Sequence, residues 1–126
     1  MEKIDKTILL VDDNQELLSC FQAALQNVGY QIITKKDSQA ALSLLDEGAV
    51  VDLVITDYMM PDMDGLEFMA ALRKRSLSVP VIMMTARGDM DIYIKALNLG
   101  AYEFLNKPVS IKDLNAIVTS ALNATA

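Results

Sequence analysis

Five short apolar runs, Thr7–Val11, Tyr30–Thr34, Val51–Thr56, Val79–Met84 and Ala101–Leu105, alternate along the chain with segments of helical periodicity. Leu17, Phe21, Leu25 and Val28 mark a first helical face, and Ala41, Leu44 and Leu45 a second. Leu66, Phe68, Met69 and Leu72 make a third, and Ile111, Leu114, Val118 and Ala121 the last. Between the fourth and fifth runs, seven of the ten residues from Met90 to Leu99 are apolar. Punctuation agrees: Gly29, Gly48 and Gly100 follow the helical segments, and Ser110 with Asp113 resembles a capping box. Such alternation predicts an α/β fold with a parallel sheet, because parallel neighbours need crossover helices and those helices cover both sheet faces. The run VVDLVIT is nearly all apolar, as a strand buried on both sides requires.

An open sheet of this kind places its ligand site beyond the carboxyl ends of the strands. At those ends stand Asp12 and Asp13 after the first run, Asp57 after the third, Thr85 after the fourth and Lys107 after the fifth. A lone Asp-Asp pair is more often a turn or a helix cap, and a lone Thr or Lys means little. Together they are three carboxylates against one ammonium. Two like charges ~4 Å apart in a partly shielded site repel by roughly 4 kcal/mol. A divalent cation with oxygen ligands relieves such an excess, and magnesium suits one or two carboxylates plus a phosphate. A carboxylate can attack phosphorus to give an acyl phosphate, with Asp57 on the central strand the best placed. The metal, Lys107 and the Thr85 hydroxyl would then neutralise the phosphoryl oxygens.

Composition removes competing chemistries. The chain has no histidine, which excludes serine–histidine and cysteine–histidine catalysis, histidine-ligated zinc and a phosphohistidine carrier. A net charge of −6 argues against direct nucleic-acid binding by this domain. The basic run Arg73-Lys74-Arg75 reads as a solvated helix end. The single Cys20 permits no internal disulfide and reads as a core or half-buried thiol. With 126 residues, 52% of them hydrophobic, one compact domain over residues 1–126 is expected. No apolar run nears the roughly 20 residues of a membrane span, and the first residues lack a secretory layout, so a soluble cytoplasmic protein is expected. The string Asp62-Met63-Asp64-Gly65 contains a calcium-loop fragment, but that frame would put Met60 at the first ligand position and Ala71 at the twelfth. As a dehalogenase-type phosphatase motif it also fails, since Asp62 follows Pro61 rather than an apolar strand.

The strings ILLVDDN, VITDYMMPDMDG, VPVIMMTA and GAYEFLNKP, in this order and spacing, resemble the receiver domain of two-component response regulators over nearly the whole length. The resemblance implies a flavodoxin-like (βα)5 doubly wound fold with strand order 2-1-3-4-5. It also implies phosphotransfer onto Asp57 from a histidine kinase or phosphotransfer protein. Magnesium, or manganese in its place, would be held by Asp13, Asp57 and the Met59 carbonyl, with Asp12 acting through water. Thr85 and Lys107 would contact the phosphoryl group, and the Lys107–Pro108 peptide is expected to be cis. Phe104 matches the aromatic whose rotamer follows the shift of Thr85 on activation. Many relatives carry Tyr there, so this chain would read the switch through packing alone. Met59 and Arg87 fall at positions linked in the family to the rate of dephosphorylation.

By that reading the chain catalyses only its own phosphorylation and dephosphorylation. It switches a surface of helix 4, strand 5 and helix 5 toward a downstream effector protein or domain, or toward a phosphorylation-dependent homodimer. No membrane partner is expected. The alternative is a small magnesium-dependent phosphatase with an aspartyl-phosphate intermediate. A stand-alone regulator and the receiver of a longer protein are both compatible with the sequence.

Overall fold

The computed structural model describes residues 3–86 and 89–124; Arg87 lies outside them. Ten elements alternate: β1 (Thr7–Val11), α1 (Gln15–Val28), β2 (Gln31–Lys35), α2 (Ser38–Asp46), β3 (Leu53–Asp57), α3 (Gly65–Lys74), β4 (Val81–Thr85), α4 (Met90–Asn98), β5 (Glu103–Asn106) and α5 (Ile111–Ala124). All strand pairs are parallel, in the order β2-β1-β3-β4-β5. This is the flavodoxin-like arrangement expected above.

Strands β2 to β5 begin one or two residues later than their apolar runs. Val51 and Asp52 precede β3 because pairing with β1 starts at Ile8 opposite Leu53. Asp52 instead closes the start of the sheet: its carboxylate accepts from the Thr7 N–H at 2.8 Å, and its own N–H donates to the Thr7 carbonyl at 2.8 Å. The shift matters for function. Asp57 and Thr85 are the last residues of β3 and β4, held by the ladder, rather than the first residues of loops.

Strand side chains alternate between two cores, as the two-residue period demands. Ile8, Leu10, Ile55, Ile82 and Met84 face α1 and α5, where Leu18, Phe21, Leu25, Leu114 and Val118 meet them. Leu9, Val11, Val54, Val81 and Met83 face Ala41, Leu42, Phe68, Met69 and Leu72 of α2 and α3. Some helix faces are rotated from the expected stripe. Leu18 rather than Leu17 is fully buried in α1, while Val28, Ile111 and Cys20 are exposed. The Cys20 thiol is therefore a surface group, because the α1 face turned to the sheet is set by Leu18, Phe21 and Leu25.

The helices start where the strands end, and their caps are polar side chains on that rim. Asn14, Asp37, Asp64 and Asp89 accept from the N–H groups of Leu17, Ala40, Glu67 and Ile92. Asp64 and Glu67 complete a capping box, and Ser110 accepts from the Asp113 N–H at 3.0 Å. Helix α3 begins at Gly65 for a steric reason. A Cβ there would lie 2.8 Å from the Asp57 carbonyl oxygen and 2.9 Å from the Tyr58 Cα, both backbone atoms. Gly65→Ala is thus expected to cost about 1–3 kcal/mol in urea unfolding, because only backbone movement can relieve the overlap.

Arg73 corrects the reading of the basic run. Its guanidinium donates to the carbonyls of Leu77 (2.8 Å), Val79 (3.0 Å), Leu99 (2.9 Å) and Gly100 (3.2 Å). It ties α3 to the loop before β4 and to the end of α4. Arg75 pairs with Asp46 of α2 at 2.8 Å, and Lys74 alone is an unengaged solvent-facing cation of the three.

Candidate functional site

Strand order brings the separated residues together. Val11 pairs with Thr56, so the residues that follow them, Asp12 and Asp57, emerge side by side from adjacent strands. On the other flank Asp57 pairs with Met84, and Thr85 pairs with Asn106, one residue before Lys107. The Lys107 N–H donates to the Thr85 carbonyl at 2.8 Å, and the Lys107–Pro108 peptide is cis, as expected.

Asp12 and Asp57 are buried, at 1% and 4% exposure, whereas Asp13 is open to solvent. Each Asp12 oxygen is engaged: Oδ1 accepts from the Asn14 N–H at 2.9 Å and Oδ2 from Lys107 Nζ at 2.9 Å. Lys107 Nζ also lies 3.3 Å from Asp57 Oδ1. Asn14, which the motif reading passed over, therefore caps α1 with its side chain and steadies Asp12 with its backbone. Its signal was available: a short polar residue directly before a helical pattern marks an N-cap.

The electrostatics follow from burial. Desolvation pushes the Asp57 carboxyl above the usual carboxylate range, and the neighbouring Asp12 charge adds to it. Lys107 and the Met59 backbone N–H oppose that shift without cancelling it. Burial alone would lower Lys107, but its bonds to Asp12 and Asp57 outweigh this and hold the ammonium above its ordinary value. One ammonium thus faces three carboxylates, whose oxygens come within 4.8 Å of one another. An all-oxygen donor set with about two uncompensated negative charges and one solvent-facing carboxylate fits a hard divalent cation. It does not fit a soft metal that needs thiolate or imidazole.

Two further expected residues sit on the same edge. The Met59 side chain is half-exposed, one residue beyond Tyr58, whose N–H donates to the Met84 carbonyl. Phe104, on β5, lies outside the acidic cluster and meets Tyr93 of α4 edge to face, with ring centroids 5.7 Å apart. No helix among the described residues is long and apolar enough to cross a membrane.

The model of the response regulator receiver domain matches residues 8–119. The chain is 35% identical over 119 residues to the alkaline phosphatase synthesis transcriptional regulatory protein PhoP of Bacillus subtilis, covering 94% of this chain and 49% of that protein. It is 40% identical over 115 residues to the transcriptional regulatory protein CpxR of Escherichia coli, covering 91% and 48%. The chain thus spans about half the length of these curated relatives. Among solved structures, a response regulator receiver domain protein from Clostridium thermocellum superposes with a TM-score of 0.87 at 32% identity, over 95% of this chain and 96% of that one.

Proposed function

The chain belongs to the response regulator receiver family of two-component signalling, and from that membership we propose that it accepts a phosphoryl group on Asp57 and passes the change to an effector. The observation that carries this reading is the buried Asp57 carboxylate, linked to that of Asp12 by the shared Lys107 ammonium. An Asp57 oxygen attacks the phosphorus of a phosphohistidine on a kinase or phosphotransfer protein. The donor's P–N bond breaks as the acyl phosphate forms. Lys107 would donate to a phosphoryl oxygen, and the Thr85 hydroxyl to a second. Asp13, Asp57 and the Met59 carbonyl, with Asp12 through water, would hold magnesium or manganese, which when bound supplies positive charge against the phosphoryl oxygens.

Intact-mass analysis after incubation with acetyl phosphate and magnesium tests the proposal. One phosphoryl group per chain is expected, and none when magnesium is withheld. Sustained hydrolysis of many equivalents of a phosphate ester would instead indicate a phosphatase. Metal binding has its own readout. Magnesium at a hundred times its dissociation constant is expected to raise the unfolding free energy by about 2.7 kcal/mol. Asp13→Asn is expected to remove most of that gain at the same concentration.

The signal leaves the site through Phe104 and α4. With no hydroxyl on Phe104, the change is read as repacking against Tyr93. Amide exchange in α4 is therefore expected to change on phosphorylation. An unchanged α4 would refute that route while leaving the phosphotransfer itself intact. The effector is a partner protein or a further domain, in keeping with relatives that are transcriptional regulatory proteins.

A further inference from the structure

Among the described residues, five polar or charged side chains are buried: Asp12, Ser38, Thr56, Asp57 and Thr85. Four of them stand at or beside the carboxyl ends of β1, β3 and β4. Ser38, 1% exposed, comes instead from the first turn of α2. That helix is capped by Asp37, which accepts from the Ala40 N–H at 2.7 Å, so the Ser38 hydroxyl is not needed for the cap. It donates to the Met63 carbonyl at 3.2 Å, 25 residues further along the chain.

Met63 belongs to the loop over residues 58–64, which carries the backbone of the phosphorylation site. The Met59 N–H of that loop donates to the Asp57 carboxylate, and the Met59 carbonyl is the one assigned above to the metal. Both ends of the loop are fixed. The Tyr58 N–H donates to the Met84 carbonyl at 2.7 Å, the Tyr58 carbonyl accepts from the Gly65 N–H at 2.8 Å, and Asp64 caps α3. Between these ends the chain turns through Asp62 at a φ of 71°, a left-handed conformation that most side chains avoid. Such a residue keeps its conformation where surrounding contacts over-determine it. On one side of it the Met60 side chain is buried in the α2–α3 core. On the other the Met63 N–H donates to the Pro61 carbonyl at 2.8 Å, and the Met63 carbonyl is held by Ser38.

We propose that Ser38 is a positioning residue for the metal: from α2 it fixes the turn of the β3–α3 loop, and through the loop the direction of the Met59 carbonyl. The inference rests on the reading of Met59 as a metal ligand and does not require that Asp57 be the phosphoryl acceptor.

The test compares the parent chain with Ser38→Ala, which removes the hydroxyl, and Ser38→Thr, which keeps one. Magnesium is titrated into the unphosphorylated protein with the Tyr58 and Met59 amide shifts as the readout, and amide exchange in the loop is measured without metal. Ser38→Ala is expected to weaken magnesium about fivefold, the order of one net hydrogen bond, and to speed exchange at the Met63 amide by a similar factor. Ser38→Thr should recover most of both. In labelling with acetyl phosphate, Ser38→Ala should need about fivefold more magnesium for half-maximal rate yet reach the parent's plateau. Val118→Ala, in the opposite core, controls for lost stability, and Ser43→Ala, exposed on α2, for a lost serine; both should bind magnesium as the parent does. Circular dichroism would verify that each variant folds. Faster exchange in Ser38→Ala with unchanged magnesium affinity would make Ser38 a purely structural contact and overturn the proposal. Equal weakening in Val118→Ala would overturn it as well, and so would a parent chain that binds no magnesium. A parent that binds magnesium but takes no phosphoryl group would refute the phosphotransfer reading and leave this one standing.

Discussion

Asp57→Asn protein incubated with magnesium and acetyl phosphate is expected to gain no phosphoryl group by intact mass, where the parent chain gains one. The amide keeps the shape of the carboxylate but lacks the nucleophilic oxygen, so the loss should be complete rather than graded. Labelling equal to the parent would place the acceptor elsewhere and refute the site. The same variant should be more stable than the parent at neutral pH without divalent cations. Burial, and then the charge of Asp12, penalise the ionised form of Asp57 in the folded state. With its folded pKa raised, stability is fully present below the ordinary carboxylate range and is lost as pH rises through the folded value. The parent carries that penalty at pH 7 and the asparagine variant does not. Urea midpoints should therefore differ at pH 7, converge below about pH 4, and draw together at neutral pH when magnesium neutralises the cluster.

Arg73→Ala is expected to destabilise the fold by about 3–4 kcal/mol. Four carbonyls from two separate loops accept from this one guanidinium. Hydrogen bonds to charged donors contribute about 1.5–3 kcal/mol each, but water can reach this half-buried group, so the sum is well below four such bonds. Arg73→Lys should recover only part of the loss, since a single ammonium cannot reproduce the planar fork. Lys74→Ala, at the exposed neighbour, should stay within about 0.5 kcal/mol. Equal urea midpoints for Arg73→Ala and Lys74→Ala would show that the clamp contributes nothing. Because the clamp fixes the end of α4, the loss should also appear as faster amide exchange at Leu99, Gly100 and Ala101.

Much of this molecule is legible from residue order alone. Short apolar runs between helical patterns specify parallel strands, because only crossover helices can bury such runs on both sides. The residues at the strand ends can be named in advance, since the carboxyl edge of such a sheet is where side chains converge. Asp12, Asp13, Asp57 and Lys107 do come together there. Strand starts were less legible. Val51 and Asp52 look like part of the third run, yet the ladder with β1 begins at Leu53. Hydrophobicity marks what is buried, and register is set by the partner strand.

Arg73 and α4 show the deeper difference. The α/β architecture and the acidic set at its carboxyl edge are written in the order of residues, because both follow from periodicity and local position. Arg73 beside Lys74 and Arg75 carries no sign that it binds four carbonyls, two of them at the far end of α4. Its acceptors lie up to 27 residues away and meet it only when α3, β4 and α4 pack. Seven apolar residues around α4 likewise could not say which of them would be exposed. Packing settles it, turning Ala96 inward and leaving Met90, Tyr93, Ile94 and Leu97 largely exposed, since the side of a helix that meets the sheet is chosen by its neighbours and not by its own composition.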